Sequence, residues 1–270
     1  MSLLALSPGL PLPLLAQTGD AAADPGLAAA VAGSHRTPTF AARDGWRHPL
    51  QTLAFFGLQP QMTVVELSPG GGWYTEILAP YLRERGQLIL AADDPDSSWA
   101  YYRRSAERLR QKLQAQPALY DRVRLTLFEP PRLVALAEPG TVDLVLTFRN
   151  LHNWAALGEP VVDAVMRSVQ RCLKPGGVFG VVDHRLPAAA VQDAKVSSGY
   201  VHVAYAQRLA EAAGLRLAAA SEVNANPLDT ADHEGGVWAL PPSFANKDRD
   251  RARYAAIGES DRFTLKFVKA

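Results

Sequence analysis

The most informative segment of the chain is Val64-Val65-Glu66-Leu67-Ser68-Pro69-Gly70-Gly71-Gly72, which joins an apolar run to a cluster of glycines. Residues 63–67 have the composition of a buried strand, and residues 74–85 have the apolar spacing of a helix. Glycines between a strand and a helix let the backbone approach a ligand, and the free amides of the helix start can bind anionic groups. The segment therefore predicts a ligand-binding turn after the first strand.

Strand-like and helix-like segments alternate after this turn. Further strands are predicted over 87–92, 123–127, 142–148, 177–183, 215–222 and 263–269, and further helices over 99–116, 161–173 and 201–213. A short helix beginning at Pro49 precedes the first strand, and a turn over 174–177 introduces the fifth. Repeated βα units predict an α/β fold, in which a mostly parallel sheet carries helices on both faces.

Length and composition indicate a globular protein with one main domain. The 270 residues are 48% hydrophobic and 20% charged, and 28 basic residues nearly balance 27 acidic ones. No long basic block is present in the sequence, so nucleic acid is not expected as a partner. The single cysteine, Cys172, excludes an internal disulfide and any zinc site made from several cysteines.

The N-terminal residues allow two interpretations. Residues 3–16 are apolar like the core of a secretory signal peptide, but no Lys or Arg precedes them and three prolines interrupt them. Residues 1–23 are therefore either a signal peptide of a periplasmic protein or a disordered leader of a cytoplasmic one. We expect an N-terminal helical extension over 24–58 and the main domain over 59–270, without a membrane span. An insertion over 223–262 is expected to form a lid or substrate wall.

Open parallel sheets bind ligands beyond the carboxyl ends of their strands. Asp93 follows the second strand, where an acidic side chain can accept hydrogen bonds from ribose hydroxyls, and the neighbouring Asp94 is the alternative. A nicotinamide dinucleotide fits the turn less well, because the third glycine of its fingerprint falls on Thr75. The same rule points to residues 68–73, Glu129, 149–154 and 183–184.

Several segments resemble known motifs. The segments 64–72, Asp143-Leu144-Val145-Leu146 and Leu173-Lys174-Pro175-Gly176-Gly177 resemble motifs of class I S-adenosylmethionine-dependent methyltransferases. A narrower resemblance is to a bacterial family described only as predicted methyltransferases, whose members often carry export signals. It is based on Pro69-Gly70-Gly71-Gly72-Trp73-Tyr74-Thr75-Glu76, Phe148-Arg149-Asn150-Leu151-His152-Asn153-Trp154 and Gly258-Glu259-Ser260-Asp261-Arg262. The resemblance covers about residues 43–269 and implies a Rossmann-like sandwich, with a seven-stranded sheet whose last strand is antiparallel.

The resemblance implies S-adenosylmethionine as the cofactor, and Glu66 matches the acidic position near its methionine end. Ser68 departs from the family, which has glycine there. A left-handed conformation at Ser68 would cost about 1–2 kcal/mol, against about 8 kcal/mol for micromolar binding. The residues expected to bind the cofactor are Glu66, Ser68, Gly70, Gly71, Gly72, Asp93, Glu129 and Arg149.

Methyl transfer needs an aligned acceptor and, for a hydroxyl or amine, a base. His152 follows the fourth strand, where the acceptor usually lies in this superfamily, and is the candidate base; an orienting or packing role is the alternative. His152, His184 and His233 are scattered along the sequence without short ligand spacing, so no metal site is predicted. The residues expected to line the substrate pocket are Trp73, Tyr74, Asn150, Asn153, Trp154 and His184.

The sequence therefore predicts a methyltransferase that acts on a small molecule. An exported protein that uses the same fold for non-catalytic binding or another reaction is the alternative, which Ser68 and Pro69 favour. A third hypothesis is that the insertion over 223–262 docks a protein partner.

Overall fold

A mixed seven-stranded sheet organises residues 24–270, which are the part of the chain that the computed structural model describes. The strands are β1 Thr63–Leu67, β2 Gln87–Ala92, β3 Arg124–Leu127, β4 Val142–Phe148, β5 Leu173–His184, β6 Leu215–Ser221 and β7 Arg262–Lys269. Their order in the sheet is β3-β2-β1-β4-β5-β7-β6. The first six strands run parallel, and β7 lies antiparallel between β5 and β6. The predicted α/β class and the antiparallel last strand are confirmed.

Helices cover both faces of the sheet. They are α1 Pro25–Val31, α2 Pro38–Ala41, α3 Asp44–Arg47, α4 Pro49–Phe56, α5 Thr75–Leu82, α6 Ala100–Ala115, α7 Pro117–Tyr120, α8 Leu151–Ala156, α9 Glu159–Cys172, α10 Val203–Ala212 and α11 Arg251–Ile257, with a 3-10 helix over Gly236–Ala239. Among these helices, none has the length and apolar character needed to cross a bilayer. The predicted leader, residues 1–23, lies outside the described residues.

Two apolar clusters hold the helices on the sheet. Successive residues of a strand point to opposite faces, and β1 shows this directly. Val64 joins a cluster with α1, α4, α5 and α6, whereas Val65 and Leu67 join a cluster with α8, α9 and α10. The core is therefore built from two layers that share the strands.

The short helix α4 packs directly on the sheet. Pro49 occupies its first turn, and Gly57 ends it with a left-handed φ of 80°. At Gly180 of β5, a β-carbon would lie 2.8 Å from Phe56 and 2.8 Å from Leu146. Glycine at this position therefore allows α4 to approach the strand.

Two local predictions were incomplete. The predicted turn over 174–177 lies inside β5 as an irregularity, since Leu173 pairs with Val142 and Val178 pairs with Leu144. Gly176 absorbs it with a φ of 74°. The short helix α8, which carries His152, was not predicted, because six residues are too few for a clear helical period.

Segments from both ends of the domain converge on the carboxyl ends of the strands. The N-terminal helices are fastened to α5 through Glu76, which accepts hydrogen bonds from the backbone N of Thr37 at 3.0 Å and from the side chain of Lys112. The segment between β6 and β7 contains the 3-10 helix and α11, with a small apolar cluster of its own. Both segments contribute walls to the site.

Candidate active site

A cavity of about 620 Å³ lies at the carboxyl ends of β1, β2, β4 and β5. Its volume is within the range of about 300–1,000 Å³ that is typical of small-molecule sites. The N-terminal helices contribute Phe40, Arg43 and Arg47, and the segment between β6 and β7 contributes Trp238 and Glu259. This placement favours the predicted substrate wall over the predicted docking of a protein partner.

The glycine turn borders the cavity with bare backbone. Ser68 has a φ of 46°, so the left-handed conformation considered for this residue is present, and its strain is of the order of 1–2 kcal/mol. Gly70 has a φ of 57°, and a β-carbon there would meet no protein atom within 4 Å. Gly71 also lines the cavity, beside the ring of Phe40. The turn is therefore open and is not filled by side chains of the described residues.

Gly72 is a correction to the predicted cofactor residues. It is outside the cavity lining, and a β-carbon there would lie 3.0 Å from the Lys112 side chain. Its φ of 77° instead allows the chain to enter α5, with its N–H bonded to the carbonyl of Pro69 at 2.9 Å. Gly72 shapes the turn without facing the ligand space.

Glu66 is a buried carboxylate at the end of β1 that lines the cavity. Its side chain accepts a hydrogen bond from Thr75 Oγ1 at 2.7 Å. Burial raises the pKa of Glu66 to about 7, because only this hydroxyl opposes the loss of water. A bound cation would therefore stabilise the ionised form of this carboxylate.

The two aspartates that follow β2, Asp93 and Asp94, have different surroundings. Asp93 lines the cavity, and burial raises the pKa of its carboxyl group. Asp94 instead binds Arg132 at 2.5 Å and the backbone N of Asp96 at 2.9 Å, so it is not the ribose ligand. Glu129 is a second correction, since it also binds Arg132, at 3.1 Å, and is not part of the cavity lining.

The loop after β4 is held in an unusual conformation. Arg149 has a left-handed φ of 61°, and its backbone N donates to the Val182 carbonyl at 2.7 Å. Asn150 Nδ2 donates to the Leu67 carbonyl at 3.1 Å, which ties the loop to β1. Asn150 and Asn153 line the cavity as predicted, but the amide of Asn150 is already used in this tie.

His152 and Asp183 form a buried dyad. Asp183 Oδ1 lies 2.9 Å from His152 Nδ1, and Oδ2 accepts a hydrogen bond from the His152 backbone N at 3.1 Å. His184 donates its backbone N–H to the same carboxylate at 2.7 Å, and its Nδ1 lies 2.5 Å from Ser260 Oγ. Burial, with the charges of His152 and Arg149, lowers the pKa of His184 well below its usual value. His184 is therefore neutral near pH 7.

Two of the histidines that are scattered along the sequence come together in the structure, contrary to the prediction. His152, Asp183 and His184 bring one ligand atom each within 4.8 Å of one another. The third, His233, is bound to Asp229 at 2.8 Å elsewhere. Arg149, Arg262 and Arg47, whose positive charges lower the pKa of His184, also disfavour a metal cation at this cluster.

Aromatic side chains form another wall of the cavity. Tyr74 stacks on Phe148 with ring centroids 3.5 Å apart, and burial raises its pKa to about 12. Trp73 donates its ring N–H to the Phe40 carbonyl at 3.0 Å. Trp73, Tyr74 and Trp154 all line the cavity, as predicted for the substrate pocket.

Sequence reasoning missed Arg43, Arg47, Trp238 and Glu259. The first two lie in the extension, 212–216 residues away in sequence from the glutamate that they bind. The motif Gly258-Glu259-Ser260-Asp261-Arg262 belongs to the narrower family resemblance, and this motif is the signal in the sequence that points to Glu259.

Comparisons with known proteins define the fold. No family model matches the sequence, and no curated protein is significantly similar to it. A methyltransferase dependent on S-adenosylmethionine from Aquifex aeolicus aligns with a TM-score of 0.55 and 16% identity, over 85% of this chain and 93% of that one. The chain has the class I methyltransferase fold.

Two further structures show what this methyltransferase fold accommodates. A geranyl diphosphate methyltransferase, solved with S-adenosylmethionine, aligns with a TM-score of 0.54 and 14% identity, over 90% of this chain and 95% of that one. The (4+2)-cyclase SpnF aligns with a TM-score of 0.55 and 15% identity, over 90% of this chain and 91% of that one. The likeness establishes architecture, and the reaction has to be argued from the site.

Proposed function

We propose that the protein transfers a methyl group from S-adenosylmethionine to a small molecule. The observation that carries this proposal is the open cavity at the glycine turn, where the backbone of residues 68–71 and the carboxylates of Glu66 and Asp93 border one space. A nucleoside cofactor with ribose hydroxyls and an ammonium group offers hydrogen-bond donors to both carboxylates. The residues present therefore fit this cofactor.

Each carboxylate has a distinct role in this proposal. Asp93 would accept hydrogen bonds from the ribose hydroxyls, since the neighbouring Asp94 is occupied by Arg132. Glu66 would accept from the ammonium group, which supplies the cation that its buried carboxylate lacks. When bound, the cofactor supplies an activated methyl group on a sulfonium.

His152 is the proposed base. Asp183 accepts the Nδ1 proton of the ring, which leaves a lone pair on Nε2 to accept a proton from an acceptor hydroxyl or amine. The second bond, from the His152 backbone N to Asp183, fixes the start of α8 relative to β5. The protein thus aligns the acceptor and holds its proton, and much of the acceleration comes from proximity.

Calorimetric titration with S-adenosylhomocysteine tests the cofactor assignment. Wild-type protein should bind it, and Asp93→Asn should weaken binding about tenfold, which corresponds to one hydrogen bond of about 1.4 kcal/mol. Asp94→Asn is the matched control and should leave the affinity within about twofold, because Asp94 contacts Arg132. No binding to the wild-type protein, or equal losses in the two variants, would show that the proposal is wrong.

A repurposed fold is the second candidate function. Ser68 favours it, because a strained residue stands at the start of the turn where a glycine would relax it. SpnF has the same fold and is named for a cyclisation, so the architecture does not require methyl transfer. This candidate would be favoured if the protein binds S-adenosylhomocysteine but transfers no methyl group to any member of a broad panel of acceptors.

Export of the protein and its membership of the narrower family stay predictions. Sequencing the N-terminus of the mature protein tests export.

A further inference from the structure

Four arginines surround one carboxylate beside the dyad. Glu259 accepts hydrogen bonds from Arg43 Nε at 2.6 Å, Arg47 Nε at 3.2 Å and Arg262 Nη1 at 3.2 Å. Burial raises the pKa of Glu259, but Arg47 and Arg262 outweigh it and lower the pKa to about 2, so this carboxylate is ionised. Arg149 is the fourth member of this arginine cluster, and its guanidinium is close enough for Glu259 to affect its pKa. Positive charge is therefore in excess.

Part of the cluster has donors without acceptors. Arg47 is 3% exposed and lines the cavity, and its Nη2 has no hydrogen-bond partner among the described residues. Arg43 Nη2 also has no hydrogen-bond partner among the described residues. Arg149 also lines the cavity, and burial lowers its pKa. Buried guanidinium donors are normally paired, so the free Nη2 groups of Arg43 and Arg47 need an acceptor that the cavity can admit.

A purely structural role explains only some of these arginines. Arg262 has such a role, since it also donates to the carbonyls of Trp46 at 2.6 Å and Ser260 at 3.2 Å. Together with Glu259 it clamps the β6–β7 segment to the N-terminal helices. The hydrogen bonds that Glu259 accepts from the described residues come from Arg43, Arg47 and Arg262, so they involve neither the Arg149 side chain nor Nη2 of Arg47.

The proposed cofactor does not balance the cluster either. It carries one carboxylate, one ammonium and one sulfonium, so its net charge is positive. The cluster also lies beside the histidines, because Arg43, Arg47 and Arg149 line the same cavity as His152 and His184. The His184 and His152 rings are 5.1 Å apart. A negative group bound here would therefore lie next to the proposed base.

We propose that the acceptor carries an oxyanion, a carboxylate or a phosphate, which binds to Arg47, Arg149 and Arg43 and places the acceptor nucleophile beside His152. The identification of the bound molecule as the methyl acceptor rests on the proposed function, whereas the oxyanion site itself is inferred from the arginines alone. Guanidinium groups form paired, charge-assisted hydrogen bonds with both kinds of oxyanion. Neutral acceptors would leave the same donors unpaired and should be poor substrates.

Calorimetric titration with inorganic phosphate and with malonate, at constant ionic strength, tests the site. We expect at least one probe to bind the wild-type protein, and Arg149→Gln to weaken it about tenfold or more. Glu259 forms its ion pairs with Arg43, Arg47 and Arg262, and Arg149→Gln keeps all three, so this variant should fold. Arg110→Gln, on the exposed face of α6, removes one positive charge outside the site and should change the affinity by less than about twofold.

The outcomes separate this inference from the proposed function when the same samples are titrated with S-adenosylhomocysteine. Binding of phosphate or malonate that depends on Arg149 supports the oxyanion site, whether or not S-adenosylhomocysteine binds. If S-adenosylhomocysteine binds but neither probe does, or if Arg149→Gln and Arg110→Gln lose affinity equally, the oxyanion inference is overturned and the methyltransferase proposal stands. Arg149→Lys gives a second check, since a retained charge should recover part of the affinity.

Discussion

Replacing Glu66 with Gln tests how much the burial of this carboxylate lowers the stability of the fold, and whether the carboxylate binds the cofactor. Glu66 is 2% exposed, and its hydrogen bond from Thr75 Oγ1 measures 2.7 Å. Burial raises its pKa from 4.5 to about 7. Glu66→Gln keeps the size of the side chain and an acceptor oxygen for Thr75, but it cannot ionise. The variant should therefore be more stable than the wild-type protein at pH values above 4.5, where the carboxyl group of the unfolded wild-type chain is charged.

The size of this difference follows from proton linkage. Below pH 4.5 the carboxyl group is protonated in both the folded and the unfolded chain, so it adds no dependence on pH. Between pH 4.5 and about 7 only the unfolded chain loses the proton, so the folded state loses stability as the pH rises. The shift corresponds to about 3 kcal/mol above pH 7. For a chain of this size that is ~6–12 °C in melting temperature.

Thermal unfolding followed by circular dichroism from pH 5 to pH 8 measures the effect. Glu66→Gln and wild type should melt at similar temperatures at pH 5 and separate progressively towards pH 8, because all other groups titrate equally in both proteins. Glu138→Gln, at an exposed site, is the control and should follow the wild-type curve. A difference that stays constant from pH 5 to pH 8 would refute the raised pKa.

The same variant tests the role of the carboxylate. If Glu66 binds the cofactor's ammonium group, the affinity of wild-type protein for S-adenosylhomocysteine should rise as the pH passes through about 7, since the free protein then no longer holds a proton there. Glu66→Gln should bind more weakly and lose this dependence on pH. Unchanged affinity in Glu66→Gln would exclude Glu66 as the ammonium partner.

Three further predictions concern backbone strain, packing and charge. Ser68→Gly should raise the free energy of unfolding by about 1 kcal/mol in urea titrations, because it relieves a φ of 46°, whereas Ser68→Ala should not. Gly180→Ala should lower it by about 1–3 kcal/mol, since the new methyl group would meet α4 at 2.8 Å; Gly45→Ala, which meets no atom within 4 Å, should not. His184 should remain neutral in ¹⁵N NMR titrations as the pH falls below 6.5, because burial lowers its pKa, and the folded state should lose stability over the same range. A His184 signal that titrates near pH 6.5 would contradict this.

Local features of the sequence predicted the fold and one half of the site. The strand of residues 63–67, the glycines after it and Asp93 follow from short-range composition and spacing, and the structure places the end of the strand, Gly70, Gly71 and Asp93 at one cavity. Even the left-handed conformation of Ser68 was foreseeable, because it occupies a position where the family has glycine. Gly72 and Glu129 lie outside the cavity lining, because a position after a strand does not decide whether a residue faces the ligand space.

The other half of the site depended on tertiary structure. Arg43 and Glu259 are 216 residues apart, and their ion pair exists only because the N-terminal helices and the β6–β7 segment pack over the same strand ends. The dyad of His152 with Asp183 likewise joins α8 to β5 across 31 residues. Hydrophobic period and turn chemistry act between near neighbours and can be read from sequence, whereas the meeting of distant charges is decided by how the layers pack.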